Sequence, residues 1–298
     1  MSMPQAVLGV DLGGTSLRVA LVVDGTVVDV VTRSSILTEG ERHNPATVML
    51  ELCRRVAGHH PILAVGVAAA GPVDIFERRI CNPYTLPDWS GSDWPDVLST
   101  ALGLPVLLEN DAAAAAVAEL RAGAGKGAEV LCMVTVGTGI GVAVVTAGSR
   151  RYHGARGAHP EAGHMLISDR GNECYCGYVG CWESLCSGRA LASQWTSASA
   201  DMEMVVDWDG YARVFARGIV NLERIYAPDL IVIGGGVADS LANFLPALRG
   251  ATREPDPMIP GPRALIVRAR LQYPGAYGAA CLAIDAITQR SLKGQKRK

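Results

Sequence analysis

The sequence predicts an α/β protein built as two lobes with a cleft between them. Its 298 residues exceed what one hydrophobic core usually organises. An apolar fraction of 49% with 34 glycines and only 5% aromatics fits strands and helices joined by tight turns. A strand, a glycine turn and a second strand also occur twice. The first set is Val7-Leu8-Gly9-Val10, then Asp11-Leu12-Gly13-Gly14-Thr15, then Arg18-Val19-Ala20-Leu21-Val22-Val23. The second is Val130-Leu131-Cys132-Met133-Val134-Thr135-Val136, then Gly137-Thr138-Gly139-Ile140-Gly141, then Val142-Ala143-Val144-Val145. Each reads as a hairpin opening one half of the chain.

The remaining elements follow from local pattern. Asp24-Gly25 is a hairpin turn leading into the β-branched run 26–31. Residues 46–56 read as a helix and 62–70 as a buried strand. Val106-Leu107-Leu108 ends a strand, and the alanine-rich run 112–120 is a helix that Asn110 or Asp111 can cap. Tyr211, Val214, Phe215, Ile219, Leu222, Ile225 and Tyr226 recur at helical spacing up to Pro228. The strand Leu230-Ile231-Val232-Ile233 then ends in Gly234-Gly235-Gly236. Residues 275–287 form a last helix, and the basic run 293–298 is expected to fray. On this reading residues 1–110, completed by 275–298, make the N-terminal lobe, and 111–274 make the C-terminal lobe.

Composition excludes several classes. A net charge of −2 and a pI near 6.3 give no basic footprint for nucleic acid. Met1-Ser2-Met3-Pro4 runs straight into a strand with no leader pattern, and no stretch has the apolar length of a membrane span. Eight cysteines without such a leader point to a reducing, cytoplasmic setting. Cys53, Cys81, Cys132 and Cys281 stand apart and are expected as small buried apolar residues.

The other cysteines form the most specific motif. His164, Cys174, Cys176 and Cys181 supply one imidazole and three thiolates, flanked by Glu161 and Glu183. That is a complete tetrahedral Zn²⁺ shell with no position left for water, hence a structural clamp. Gly177 and Gly180 let the loop turn tightly enough for the sulfurs to face one ion. Disulfides or free core thiols are the competing readings. Cys186 lies nearby, outside a shell that is already full.

Three glycine turns at strand ends suit phosphate, whose oxygens can approach bare backbone N–H groups. Asp11, Gly13, Gly14 and Thr15 add a carboxylate for Mg²⁺ and a hydroxyl. Gly137, Thr138 and Gly139 form a second clamp, and Gly234, Gly235 and Gly236 offer flat backbone for a base and ribose. Each alone is weak, and neither a P-loop nor a dinucleotide fingerprint is present. Together they point to a nucleotide held across a hinge. Asn110-Asp111 reads equally as a helix cap and as a carboxylate kept ionised by the helix dipole, ready to take a proton.

These residues together resemble the ROK family of repressors, open reading frames and sugar kinases, in order over nearly the whole chain. The resemblance implies the two-lobed actin-like ATPase, ribonuclease-H-like fold, with ATP and Mg²⁺ as cofactors and structural Zn²⁺. It implies Asp111 as general base on a hexose hydroxyl, with Gly71, Asn82, Asn110, Glu161, His164 and Glu183 holding the sugar. His164 would give one ring nitrogen to zinc and the other to the sugar. One departure is His159-Pro160-Glu161, where members commonly carry Ala-Gly-Glu. This form resembles fructokinase-like members and makes His159 a second candidate for the metal or the sugar.

Two other function classes stand beside a kinase, a transcriptional repressor and a sugar sensor. A repressor needs a DNA-binding motif ahead of the first glycine turn, where ten residues leave no room. A sugar sensor that does not turn over would be expected to lack the base or a phosphate turn. Asn82 and Leu86-Pro87-Asp88-Trp89 resemble the Asn…Leu-Pro-Gly-Trp segment of glucokinase-type members. Glucose is therefore the expected substrate, with fructose, mannose, allose, N-acetylmannosamine and N-acetylglucosamine as alternatives. Polyphosphate is an alternative donor. The expected partners are a hexose and a nucleotide, with no nucleic acid or membrane, and the expected assembly is a homodimer or homotetramer.

Overall fold

The computed structural model of the chain describes residues 5–198, 204–252 and 263–295. They gather into two compact units. The first takes the chain up to Ala118, His153–His159 and the segment from Leu271 onward. The second takes Glu119–Tyr152 and Pro160–Arg270.

The first unit is a five-stranded sheet in the order Thr26–Ser34, Ser16–Val23, Ala6–Leu12, Ile62–Ala69, Val106–Asn110. The first three strands are antiparallel, and the last two run parallel to Ala6–Leu12. Side chains alternate across a strand, so Leu8 and Val10 join Leu17, Val19, Met49, Val65 and Leu98 in the main core. Val7 and Val22 turn to the opposite face and meet Ala280. Ala280 belongs to the helix Pro274–Gln295, which lies against the sheet at backbone contact. A Cβ at Gly9 would fall 1.9 Å from the Ala276 carbonyl oxygen, and one at Gly66 the same distance from that of Ala279. A Cβ at Gly278 would fall 1.8 Å from the carbonyl of Ala114, in the helix Asp111–Ala122. The alanine run is thus a packing surface for a second helix as well as a strong helix former.

The second unit repeats the plan, in the order Arg150–Arg151, Ile140–Thr146, Val130–Val136, Leu230–Gly234, Leu265–Arg268. Antiparallel pairs again come first and parallel pairs last. The doubled hairpin of the sequence is the start of each repeat, and the strand order in each is that of ribonuclease-H-like domains. The core under this sheet is aromatic: Trp182, Tyr211, Phe215 and Phe244 are fully buried. Tyr211 and Phe215 sit on the helix Trp208–Tyr226, capped by Asp207, whose side chain accepts the Gly210 N–H at 2.8 Å. Trp182 lies flat over Gly218 of that helix, where a Cβ would fall 2.2 Å from the indole.

Several expectations need revision. Cys81 is exposed, because it follows the edge strand Arg79–Ile80 of a two-stranded hairpin. Cys53 and Cys132 are core thiols, and burial pushes both up to about 12. The last helix runs on through Gln295 and takes in Lys293, while residues 296–298 lie outside the described residues. The helices Trp94–Leu102 and Leu241–Thr252 were not anticipated; each carries a proline, Pro95 in the first turn and Pro246 inside. Among the described residues, no helix is long and apolar enough to cross a membrane.

Candidate active site and metal centre

In the first unit the turn after Ala6–Leu12 closes through the Gly13 N–H, which donates to the Ser16 carbonyl at 3.0 Å. Asp11 projects just before it. One carboxylate oxygen accepts from Arg18 Nη1 at 3.1 Å. Burial pushes the Asp11 carboxyl up, and Arg18 offsets this only in part. The other oxygen accepts no hydrogen bond from the described residues, so a hard cation would fit the donor set. Gly14 packs on Thr85, whose Cγ2 would lie 2.7 Å from a Cβ, whereas Thr15 is exposed.

The expected sugar residues of this unit converge on Gly71. A Cβ there would fall 2.3 Å from His159 Nε2 and 2.8 Å from Asn110 Nδ2, so only glycine fits between the two side chains. Asn82 is buried, its Nδ2 donates to the Gly71 carbonyl, and its Oδ1 accepts the Thr85 N–H at 2.9 Å. Asn82 therefore holds the Gly71 turn. Neighbouring Asp88 is an anchor, accepting the Leu37 N–H at 3.0 Å and pairing with Arg42. The indole of Trp89 is buried and donates to the Ser35 carbonyl.

Asn110 and Asp111 divide their work. Asn110 Oδ1 accepts the Ala113 N–H at 3.1 Å, the bond of a helix N-cap. Asp111 Oδ1 accepts the adjacent Ala112 N–H at 2.8 Å. A third residue escaped the sequence reading. Glu109 is 5% exposed, accepts the Asn110 N–H at 3.0 Å and sits 3.2 Å from His153 Nε2. No local pattern announces that role, since His153 lies 44 residues away.

In the second unit Glu183 ties two predicted groups together. Its Oε2 accepts the Ile140 N–H at 2.7 Å, and a Cβ at Gly139 would fall 2.3 Å from the same oxygen. Gly139 is therefore needed for the fit of Glu183. Gly137 differs, since a Cβ there would meet nothing within 4 Å. Its carbonyl accepts the Gly188 N–H at 2.7 Å, and Gly188 also abuts Val237, next to Gly236. The two glycine turns of this unit thus lie around Gly188, the first residue of the helix Gly188–Gln194. Gly235 has a φ of +82°, and a Cβ would fall 2.4 Å from the Val136 carbonyl oxygen.

The metal motif also closes up. One ligand atom from each of His164, Cys174, Cys176 and Cys181 lies within 4.8 Å of every other. Cys174 Sγ is 3.4 Å from His164 Nδ1, and Cys176 Sγ is 3.4 Å from Cys181 Sγ. A tetrahedral zinc with ordinary bond lengths sets its ligands about 3.5–3.8 Å apart, so the four residues fit that ion. His159 is not in the group. Trp182 and Glu183 follow the last thiol directly, so the aromatic core anchors one end of the loop. Glu161 precedes the short turn Ala162–His164 and is exposed, its carbonyl accepting the His164 N–H at 2.9 Å. The second ring nitrogen of His164 lies 3.0 Å from the Tyr175 hydroxyl.

A model of the ROK family matches residues 7–286. The glucokinase of Streptomyces coelicolor is 30% identical over 272 residues, covering 78% of this chain and 82% of that one. The N-acetylmannosamine kinase of Escherichia fergusonii is 30% identical over 248 residues, covering 77% of this chain and 82% of that one. The crystal structure of a ROK family glucokinase from Streptomyces griseus, in complex with glucose and AMPPNP, aligns with a TM-score of 0.77 at 27% identity. That alignment covers 94% of this chain and 99% of the other.

Proposed function

The chain belongs to the ROK family and has its actin-like ATPase fold, and on that footing we propose that it is an ATP-dependent hexose kinase acting on the primary hydroxyl, with glucose the first candidate. In the reaction the hydroxyl oxygen bonds to the γ-phosphorus as the bond to the ADP oxygen breaks, and Asp111 takes the hydroxyl proton. Phosphoryl transfer has a loose transition state, so positioning and charge stabilisation supply most of the rate. Mg²⁺, when bound, offsets phosphate charge, and Asp11 would help to hold it. Gly13, Gly14, Thr15, Gly137, Thr138 and Gly139 would orient the phosphates, and Gly234, Gly235 and Gly236 the adenosine. Asn110, Glu161, His164 and Glu183 would bind sugar hydroxyls, with Gly71 and Asn82 shaping the turn beside Asn110. Zinc, when bound, would fix the loop that carries His164 and ends at Glu183.

The observation that supports this reading most is the division at the helix start. Asn110 makes the cap, so the Asp111 charge is not needed for it. A coupled assay of ADP release tests the function, run over glucose, mannose, fructose, allose, N-acetylmannosamine and N-acetylglucosamine. ATP-Mg²⁺ and polyphosphate are compared as donors. The highest kcat/KM is expected for glucose with ATP. Sugar binding without turnover of any donor would favour a sensor and overturn the kinase reading.

A further inference from the structure

The helix Trp208–Tyr226 buries Tyr211, Phe215 and Leu222 and turns another face outward. Residues three or four apart on a helix are neighbours, so Arg213, Arg217 and Asn221 form one row on that face, and Arg224 follows Asn221. Like charges at this spacing weaken a helix, so helix stability does not account for the row. The row lines a pocket of about 300 Å³, which Ala251 of Leu241–Thr252 also lines. Among the described residues the lining holds no acidic side chain, on a chain whose net charge is −2. None of it is assigned above to nucleotide, sugar or zinc.

The two leading arginines are placed differently. Arg217 Nη1 donates to the Ile167 carbonyl at 3.2 Å, which steadies the guanidinium and uses one of its five N–H groups. Arg213 makes no hydrogen bond or ion pair with the described residues. Two guanidinium forks and an amide, with side chains rooted about 5–6 Å apart, offer more donors than the two oxygens of a carboxylate take up. A phosphomonoester brings three terminal oxygens and nearly two negative charges, which match that set. Inorganic phosphate would leave most of the pocket empty, whereas Val220 and Ala251 give a carbon skeleton apolar surface to lie on. We propose that this pocket is a binding site for a small organic phosphate, with the phosphoryl group held between Arg213 and Arg217.

The site stands apart from the kinase reading and is tested by binding alone. Arg213 is the residue to change, because Arg217 also holds the Ile167 carbonyl. Ribose 5-phosphate, inorganic phosphate and citrate are titrated calorimetrically, at low ionic strength, into wild type, Arg213→Gln and Arg213→Lys. Ribose 5-phosphate should bind the wild type with a Kd of about 0.1–1 mM. Arg213→Gln should weaken it about tenfold or more, with an unchanged melting temperature. Arg213→Lys keeps the charge but not the fork, and should weaken it about threefold. Absence of binding to the wild type, or equal affinity in Arg213→Gln, overturns the proposal. Citrate binding as tightly as ribose 5-phosphate overturns the choice of a phosphate. Should Arg213→Gln melt early, NMR of the wild type decides. Movement of the Arg213 and Asn221 side-chain signals on adding ribose 5-phosphate supports the site, and static signals overturn it.

Discussion

Gly137 is the residue whose replacement best separates binding from folding. A Cβ there meets nothing, so Gly137→Val should melt as the wild type does. The side chain would instead fill the space a phosphate needs, and ATP affinity is expected to fall about tenfold or more, well beyond any change in sugar affinity. Equal nucleotide affinity, measured by calorimetry, would remove Gly137 from the phosphate site. Gly139→Val should behave differently, displacing Glu183 and weakening sugar binding as well. The sequence presents Gly137-Thr138-Gly139 as one clamp, because a glycine that admits a ligand looks the same as one that admits a neighbouring carboxylate. Asn82 carries a similar ambiguity. Its type and position were legible, but its hold on Gly71 depends on a turn that only the fold creates. Glu109 was illegible, since its partner His153 is remote in sequence and neither belongs to a recognisable spacing.

The metal loop was the most legible element, because ligand chemistry fixes both residue types and spacing. Zinc should be present at one ion per chain, and Cys181→Ser should lose it, lower the melting temperature and weaken sugar binding together. Elemental analysis and a thermal melt check this, and a zinc-free, fully stable protein would contradict it. The helices tell the opposite story. The run 112–120 is legible as a helix, but its role as a close-packed floor for Pro274–Gln295 appears only with Gly278 set against Ala114. Gly278→Ala should therefore cost about 1–3 kcal/mol of stability through overpacking, although alanine is the better helix former. A denaturant titration showing a gain in stability would refute that contact.

At the scale of the whole molecule, the repeat of hairpin and parallel strands was half visible. The hairpins announce themselves by adjacent β-branched runs around glycine. The parallel strands that complete each sheet come from far along the chain, and Leu265–Arg268 is only four residues long. The proposed base, Asp111, belongs to the first repeat, and the proposed sugar carboxylates, Glu161 and Glu183, belong to the second. The most direct test is ADP release with glucose and ATP-Mg²⁺ by the wild type and Asp111→Asn, side by side. Asparagine is as good a cap as aspartate, and Asn110 already makes the cap, so the variant should fold normally. The account predicts sugar-dependent turnover by the wild type and a fall in kcat of roughly 10² or more in the variant, with sugar affinity changed only modestly. An Asp111→Asn protein that phosphorylates glucose at nearly the parent rate would contradict it.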